Sequence, residues 1–353
     1  MIDTQHKNLQ LIQMLRGIAS LLVVLLHITI NYSENLPGAF LFNIFKFGGS
    51  GVDIFFVLSG FIITYSSAGN IAKSGAFLTF IKRRIIRIFP IYWITISIFL
   101  LIQIIFFSFY KTHFDLTFTN ICSTYLLFPN HIMINGVSWS LTNELFFYLL
   151  FSVAVLIPYK KITLYLMVAY SLVLIVSGVL NLFDLASMNS FVALLLFPMN
   201  MEFFLGVLVA LIVHRFPSKW IYPFLITGLL LFLAGAANMG YFSGMTKNGT
   251  ERVLFFGVPS FLVILSLVKW ELTKKVNIAK IFVDLGNASY SIYLIHLPVV
   301  AAFYKVVVRL NFSSTFILQT LSLALLIIVS ILGIVVYKKV EKPLIKKLNS
   351  FFR

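Results

Sequence analysis

Apolar residues in this chain come in long blocks. Hydrophobic windows recur at about 11–30, 48–66, 88–110, 137–157, 162–180, 191–213, 220–237, 251–268, 281–303 and 315–337. Each approaches the ~20 residues a helix needs to cross a hydrocarbon core, where every backbone polar group must be satisfied within the span. The pattern predicts an all-α fold, a polytopic integral membrane bundle of about ten transmembrane helices. It reads as one membrane domain over 1–353, with no soluble domain. The first window follows ten mostly polar residues, as in a signal peptide, but runs on for about 20 residues with no small-residue cleavage pattern after it. It is expected to be an uncleaved first span.

Polar interruptions inside these windows carry the functional signal. The first holds Arg16 and His27, eleven residues apart. At about 100° and 1.5 Å per residue they share one helical face and stand roughly 16 Å apart along the axis. Ionisable groups at that depth are costly unless they face protein or water, which makes both functional candidates.

Composition narrows the class. The 353 residues are 60% hydrophobic and only 11% charged, against about a quarter charged in soluble domains. The net charge of +16 raises nucleic-acid binding, but no basic patch is interleaved with a soluble fold. Topology accounts for it better. With the N-terminus in the cytoplasm, 21 of the 27 Lys and Arg fall on the inner side and six outside, the asymmetry of a multi-pass plasma-membrane protein with both termini cytoplasmic. A lone cysteine, Cys122, excludes an internal disulfide and any multi-cysteine metal site. His113, Asp115 and His131, in the outer connection 111–136, lack the spacing of a helical metal pair, so no metal is expected and the segment reads as a loop over the outer mouth. Similarity between the two halves, a mark of many transporters, is not evident.

Further constellations lie along the chain. Gly48, Gly49 and Gly51 allow close backbone approach at the start of the second window, and Asp53 there either caps or orients a neighbour, or takes part in chemistry. Arg83, Arg84 and Arg87, at the inner surface, fix topology and meet lipid head groups, or else bind phosphate through their guanidinium forks. The fourth window opens on Trp139, with Ser140 and Tyr148 one turn either side of a buried carboxylate, Glu144. Glu202 and Arg252 are each accounted for by a helix-tying ion pair. Ser289, Tyr293 and His296 form a polar stripe, in which His296 weighs as a hydrogen-bonded packing residue.

Together these segments resemble the acyltransferase-3 family of integral membrane acyltransferases, which modify cell-surface polysaccharides and related envelope molecules. The resemblance runs nearly end to end, through the Arg16-to-His27 helix, Gly-Val-Asp-Ile-Phe-Phe-Val-Leu-Ser-Gly-Phe at 51–61, and Arg84, Arg87, Pro90, Tyr92 and Trp93. It continues in Trp-Ser-Leu-x-x-Glu at 139–144, Ser-Tyr-Ser-Ile-Tyr-Leu-x-His at 289–296 and Val-Glu-Lys-Pro at 340–343. Two departures stand out. Met199 occupies the place of an arginine the family often carries before its Glu-Phe-x-x-Gly glutamate, so a cation role there is lost or moved. Leu145 follows Glu144 where a second acid is common, which narrows the acid role to Glu144.

The resemblance implies transfer of an acyl group, usually acetyl, from cytoplasmic acyl-CoA (acetyl-CoA as donor, no tightly bound cofactor) to a hydroxyl of a cell-surface polysaccharide or lipid-linked glycan. Arg16 with Arg83, Arg84 and Arg87 would bind the donor's phosphates. His27, whose ordinary pKa lies near neutrality, would be the general base, with Glu144 orienting it and Asp53 behind. An acyl-histidine intermediate stays open. Trp139, Ser140, Tyr148 and His296 would contact the acceptor. The alternative is a transporter or flippase for a lipid-linked glycan, with the buried charges lining its path.

Overall fold

A computed structural model describes residues 9–67, 75–105, 117–130, 135–156, 160–180, 188–238 and 249–351. Among them there is no strand, and 8 helical segments are long and apolar enough to cross a membrane. The two remaining windows, 137–157 and 162–180, are also helical, as α5 (Ser138–Leu156) and α6 (Lys160–Val179).

Three windows differ in detail. The described part of the window at 88–110 belongs to α3 (Ala76–Ile105), which starts earlier and runs through Pro90; the basic run 82–87 breaks the hydropathy without breaking the helix. The window at 191–213 is two helices, α7 (Ser190–Leu196) and α8 (Asn200–Ile212), parted at Pro198, which has no N–H to donate. The window at 281–303 contains the end of α11 (Lys280–Asn287) and most of α12 (Ser289–Leu310), which meet at Ala288. In the connection 111–136, expected from the sequence to be a loop over the outer mouth, the described part includes a helix, α4 (Phe118–Leu126), capped by the Thr117 side chain, so that segment is not wholly a loop. His113, Asp115 and His131 lie outside the described residues.

The chain forms two compact units, Met1–Gly69 with Pro198–Tyr337, and Asn70–Phe197 with Lys338–Arg353. The first comprises α1 (Gln10–Asn35), α2 (Ser50–Ser67), α8, α9 (Ile221–Ala237), α10 (Val258–Thr273), α11, α12 and α13 (Thr315–Val336). α1 contributes to two apolar clusters. Its first half (Leu11, Ile12, Leu15) packs with Val57 and Phe61 of α2, Val209 of α8 and Ile264 of α10. Its second half (Val24, Ile28, Tyr32) packs with Ile292 and Tyr304 of α12 and Leu325 of α13. α2 and α8 cross in backbone contact, because a Cβ on Gly60 would overlap the Phe203 carbonyl and one on Gly206 the Val57 carbonyl. Beside that crossing Phe56 stacks on Phe203 at 4.4 Å. The same device brings Gly48 and Gly51 onto the Leu22 and Ala19 carbonyls of α1, the close approach expected from the glycine run.

The N-terminus of α1 is anchored from the far end of the sequence. Glu271 of α10 accepts hydrogen bonds from the Gln10 and Leu11 amides, the latter at 2.9 Å, and Gln10 Oε1 accepts from the Ile278 amide at 3.0 Å. Amides left over by helix geometry thus meet a carboxylate at the positive end of the helix dipole. Glu271→Ala should cost about 1–2 kcal/mol and lower the thermal midpoint in detergent, while an unaltered midpoint would remove this anchoring role.

The second unit comprises α3 to α7 and α14 (Lys342–Phe351). Tyr92 of α3 donates to the Thr124 carbonyl of α4 at 2.7 Å and shares a hydrogen bond with Ser138 of α5 at 3.1 Å. Trp93 Nε1 donates to the Tyr125 carbonyl at 2.9 Å. The Tyr-Trp pair that follows Pro90 therefore ties α4 and α5 to α3.

Candidate active site

Several polar residues of α1 are satisfied inside the helix, which lets an apolar span carry them. Ser20 and Thr29 hydroxyls donate to the Gly17 and Leu25 carbonyls, each at 2.8 Å. Arg16 is half-buried, and its Nη1 donates to Gln13 Oε1, one turn back, at 3.2 Å. His27 is half-buried, with Nδ1 2.9 Å from the Val23 carbonyl oxygen. The same Nδ1 lies 3.3 Å from Nε2 of His296, and the two rings meet edge to face with centroids 4.8 Å apart. His296 is fully buried on α12, its Nδ1 2.7 Å from the Tyr293 carbonyl oxygen. The residue weighed from sequence as packing or acceptor-binding is thus a direct neighbour of His27. No spacing rule reaches across the 269 residues between them; the only sequence signal was the Ser289, Tyr293 and His296 stripe.

Asp53 sits fully buried in the first turn of α2. Arg252 holds it with a fork, Nη2 to Oδ2 at 2.6 Å and Nε to Oδ1 at 3.4 Å, and Nη2 also donates to the Gly49 carbonyl at 2.9 Å. The arginine that the sequence reading had paired with Glu202 therefore makes its ion pair with Asp53. Glu202, fully buried, adjoins Asp53 and finds no hydrogen-bond donor among the described residues. Gly257 leaves room for it, since a Cβ there would stand 2.9 Å from Glu202 Cγ and Oε1. Just before that glycine the helix widens into a π-turn, Val253–Gly257, with Arg252 at its start. Two carboxyl groups thus face one guanidinium. The cation absent at Met199 is supplied beside Glu202 by Arg252.

In the second unit a different grouping forms. Tyr148 is buried and donates to the Glu144 carboxylate one turn earlier on α5. The Arg84 guanidinium lies 5.4 Å from the centroid of the Tyr148 ring and 5.4 Å from that of Phe80, a double cation–π contact. Its Nε is buried without an acceptor among the described residues. Arg84 is eight residues into α3, about 12 Å along the axis, so it stands deeper than the helix end that the basic run had suggested. Arg87 is half-buried like Arg84, whereas Arg83 is exposed. Trp139 meets Phe197 edge-on at 6.1 Å, and the buried Ser140 hydroxyl donates to the Val137 carbonyl at 3.1 Å. No cluster of three or more His, Cys, Asp or Glu able to hold a metal occurs among the described residues.

The structure therefore gathers the sequence candidates into His27 with His296 and Asp53 with Arg252 in one unit, and Glu144 with Tyr148 and Arg84 in the other. Arg252 and Phe80 enter these groupings as residues that the sequence reading did not place there.

Comparison with known proteins bears on what such groupings serve. Residues 10–338 match the family model described as "Acyltransferase domain". The exopolysaccharide production protein ExoZ of Rhizobium meliloti (strain 1021) is 27% identical over 315 residues, covering 86% of this chain and 91% of that protein. The acyltransferase MdmB of Streptomyces mycarofaciens is 25% identical over 365 residues, covering 95% and 91%. Nodulation protein 10 of Rhizobium leguminosarum bv. viciae is 33% identical over 138 residues, covering 34% and 36%. No solved structure matches.

Proposed function

Because the chain belongs to the acyltransferase family whose model spans residues 10–338, we propose that this multi-pass membrane enzyme moves an acyl group, acetyl in the simplest case, from cytoplasmic acyl-CoA to a hydroxyl of a cell-surface polysaccharide or lipid-linked glycan. The observation that carries the reading is a half-buried histidine on the polar face of an otherwise apolar span, with a second imidazole on its Nδ1. A glycan acceptor is supported by the exopolysaccharide production protein among the relatives. The inward orientation of both termini is supported by the split of cations, 21 of 27 on the inner side.

The chemistry follows from the residues. The acceptor oxygen attacks the thioester carbonyl as its proton passes to the His27 imidazole; the C–S bond breaks, and the imidazolium returns the proton to the departing thiolate. An ester and free coenzyme A result. Glu144 and Asp53, the latter held by Arg252, are the acidic residues assigned to the reaction on the strength of the family resemblance. Arg16, Arg83, Arg84 and Arg87 are assigned to the donor's phosphates. For Arg84 the support is a buried Nε that a phosphate oxygen would satisfy. Trp139, Ser140 and Tyr148 are assigned to the acceptor.

Purified protein in detergent, given acetyl-CoA and a hydroxyl-bearing glycan, is expected to release coenzyme A thiol in an acceptor-dependent manner. Translocation needs a sealed compartment and transfer does not. Absence of acceptor-dependent thiol release across capsule, exopolysaccharide and lipid-linked acceptors would overturn the reading.

A further inference from the structure

We infer that His296 is a positioning residue for His27: its Nε2 accepts the Nδ1–H of His27 and so fixes the Nε2 lone pair of His27 as the atom that takes the proton. The inference rests on the reading of His27 as general base, and adds which nitrogen acts and what holds it.

Assigning donors and acceptors along the contacts leaves one neutral solution. His296 Nδ1 lies 2.7 Å from the Tyr293 carbonyl oxygen, which only accepts, so Nδ1 carries hydrogen. A neutral imidazole has a single N–H, which makes His296 Nε2 an acceptor. His27 Nδ1 faces that nitrogen at 3.3 Å and the Val23 carbonyl oxygen at 2.9 Å. Between two acceptors it must be the donor, shared in a three-centre bond. His27 is then the Nδ1–H tautomer, with its lone pair at Nε2. The opposite assignment sets the Nδ1 lone pair of His27 against the Val23 carbonyl. It also needs a second proton on His296, an imidazolium at a position with 0% exposure, where an isolated charge is expensive.

The arrangement prepares the reaction. When Nε2 of His27 takes the hydroxyl proton, the new imidazolium already donates through Nδ1 to His296 and Val23. A neutral imidazole thereby holds the place that a carboxylate holds behind the histidine of a serine-protease triad. His296 is itself fixed by the carbonyl one turn back on its own helix. α12 is in turn packed on α1 through Ile292 against the cluster of Val24 and Ile28. The ring angle of His27 is therefore set by two helices rather than by its own rotamer preference.

Two substitutions separate this role from packing. In His296→Gln the amide oxygen takes over as acceptor, while His296→Met fills the volume and accepts almost nothing. His296→Met should lower kcat on the order of 10²-fold, with KM for donor and acceptor changed by less than about threefold. His296→Gln should regain most of the loss. Equal loss in both variants, or a loss carried by KM, would overturn the assignment. A readout independent of turnover is ¹⁵N NMR of histidine-labelled protein in detergent, with the His27 signals identified by their disappearance in His27→Ala. The wild type should show His27 as the Nδ1–H tautomer, a measurement that stands even where the Met variant does not fold. An Nε2–H tautomer would sink the positioning role alone, whereas full turnover in His27→Ala would sink the base itself.

Discussion

His27→Ala is expected to lower kcat/KM for acyl transfer by about 10³-fold or more while leaving the protein folded and its affinity for coenzyme A intact. The size follows from what a positioned acid–base group contributes, about 10²–10⁴ in rate. Selectivity for the chemical step follows from placement. His27 is half-buried, and among the described residues its ring hydrogen bonds run through Nδ1. Removing the ring takes away its edge-to-face contact with His296 but no member of either apolar cluster, so the thermal midpoint should move by no more than a few degrees. Thiol release by the purified variant, calorimetry with coenzyme A and a melting curve read the three quantities separately. Unimpaired turnover would end the proposal that this imidazole moves the proton. Acyl groups retained on wild-type protein with no acceptor present, and absent from His27→Ala, would instead make His27 a nucleophile.

Gly206→Leu is expected to prevent assembly of the first unit. A Cβ at that position would overlap the Val57 carbonyl oxygen and come within 2.6 Å of the Phe61 amide nitrogen, so the obstacle is backbone, which cannot turn aside as a side chain does. The reciprocal contact, Gly60 on the Phe203 carbonyl, lies in the same crossing. Separating two helices packed this closely forfeits dispersion contacts along their length, in a medium that offers no hydrophobic drive to restore them. A loss above about 3 kcal/mol is expected, beyond the usual cost of overpacking a flexible core. Size-exclusion chromatography of a fluorescent fusion reads it as loss of the monodisperse peak. A monodisperse variant with the wild-type midpoint would show that α2 and α8 are not held at this crossing.

Much of the architecture is legible in the sequence because lipid imposes one rule, that a span be long, apolar and helical. Every predicted window is helical over most of its described residues, and the glycine run at 48–51 announces a close approach that α1 receives. Charge and chain breaks account for the boundaries that differ. The basic residues at 82–87 hid the first turns of α3, and nothing as plain as a proline marks the joint at Ala288. The site was legible as a set of residue types but not as a set of partners. Arg252 had two carboxylates within plausible reach, and its choice of Asp53 depends on how α2 and the π-turn before α10 are placed. His296 on His27, and Glu271 on the first turn of α1, are contacts between distant segments that only helix packing brings together.

Asp53 and Arg252 are free to vary only as a unit. Losing Arg252 strands the buried Asp53 carboxylate at about 3–5 kcal/mol, a large part of the 5–15 kcal/mol by which a typical fold survives. Replacing both with well-packed apolar residues need cost nothing, but each single step toward that state passes through the stranded intermediate. The pair therefore acts as a ratchet on divergence. What can stand at either of these two positions, 199 residues apart, thus depends on what stands at the other.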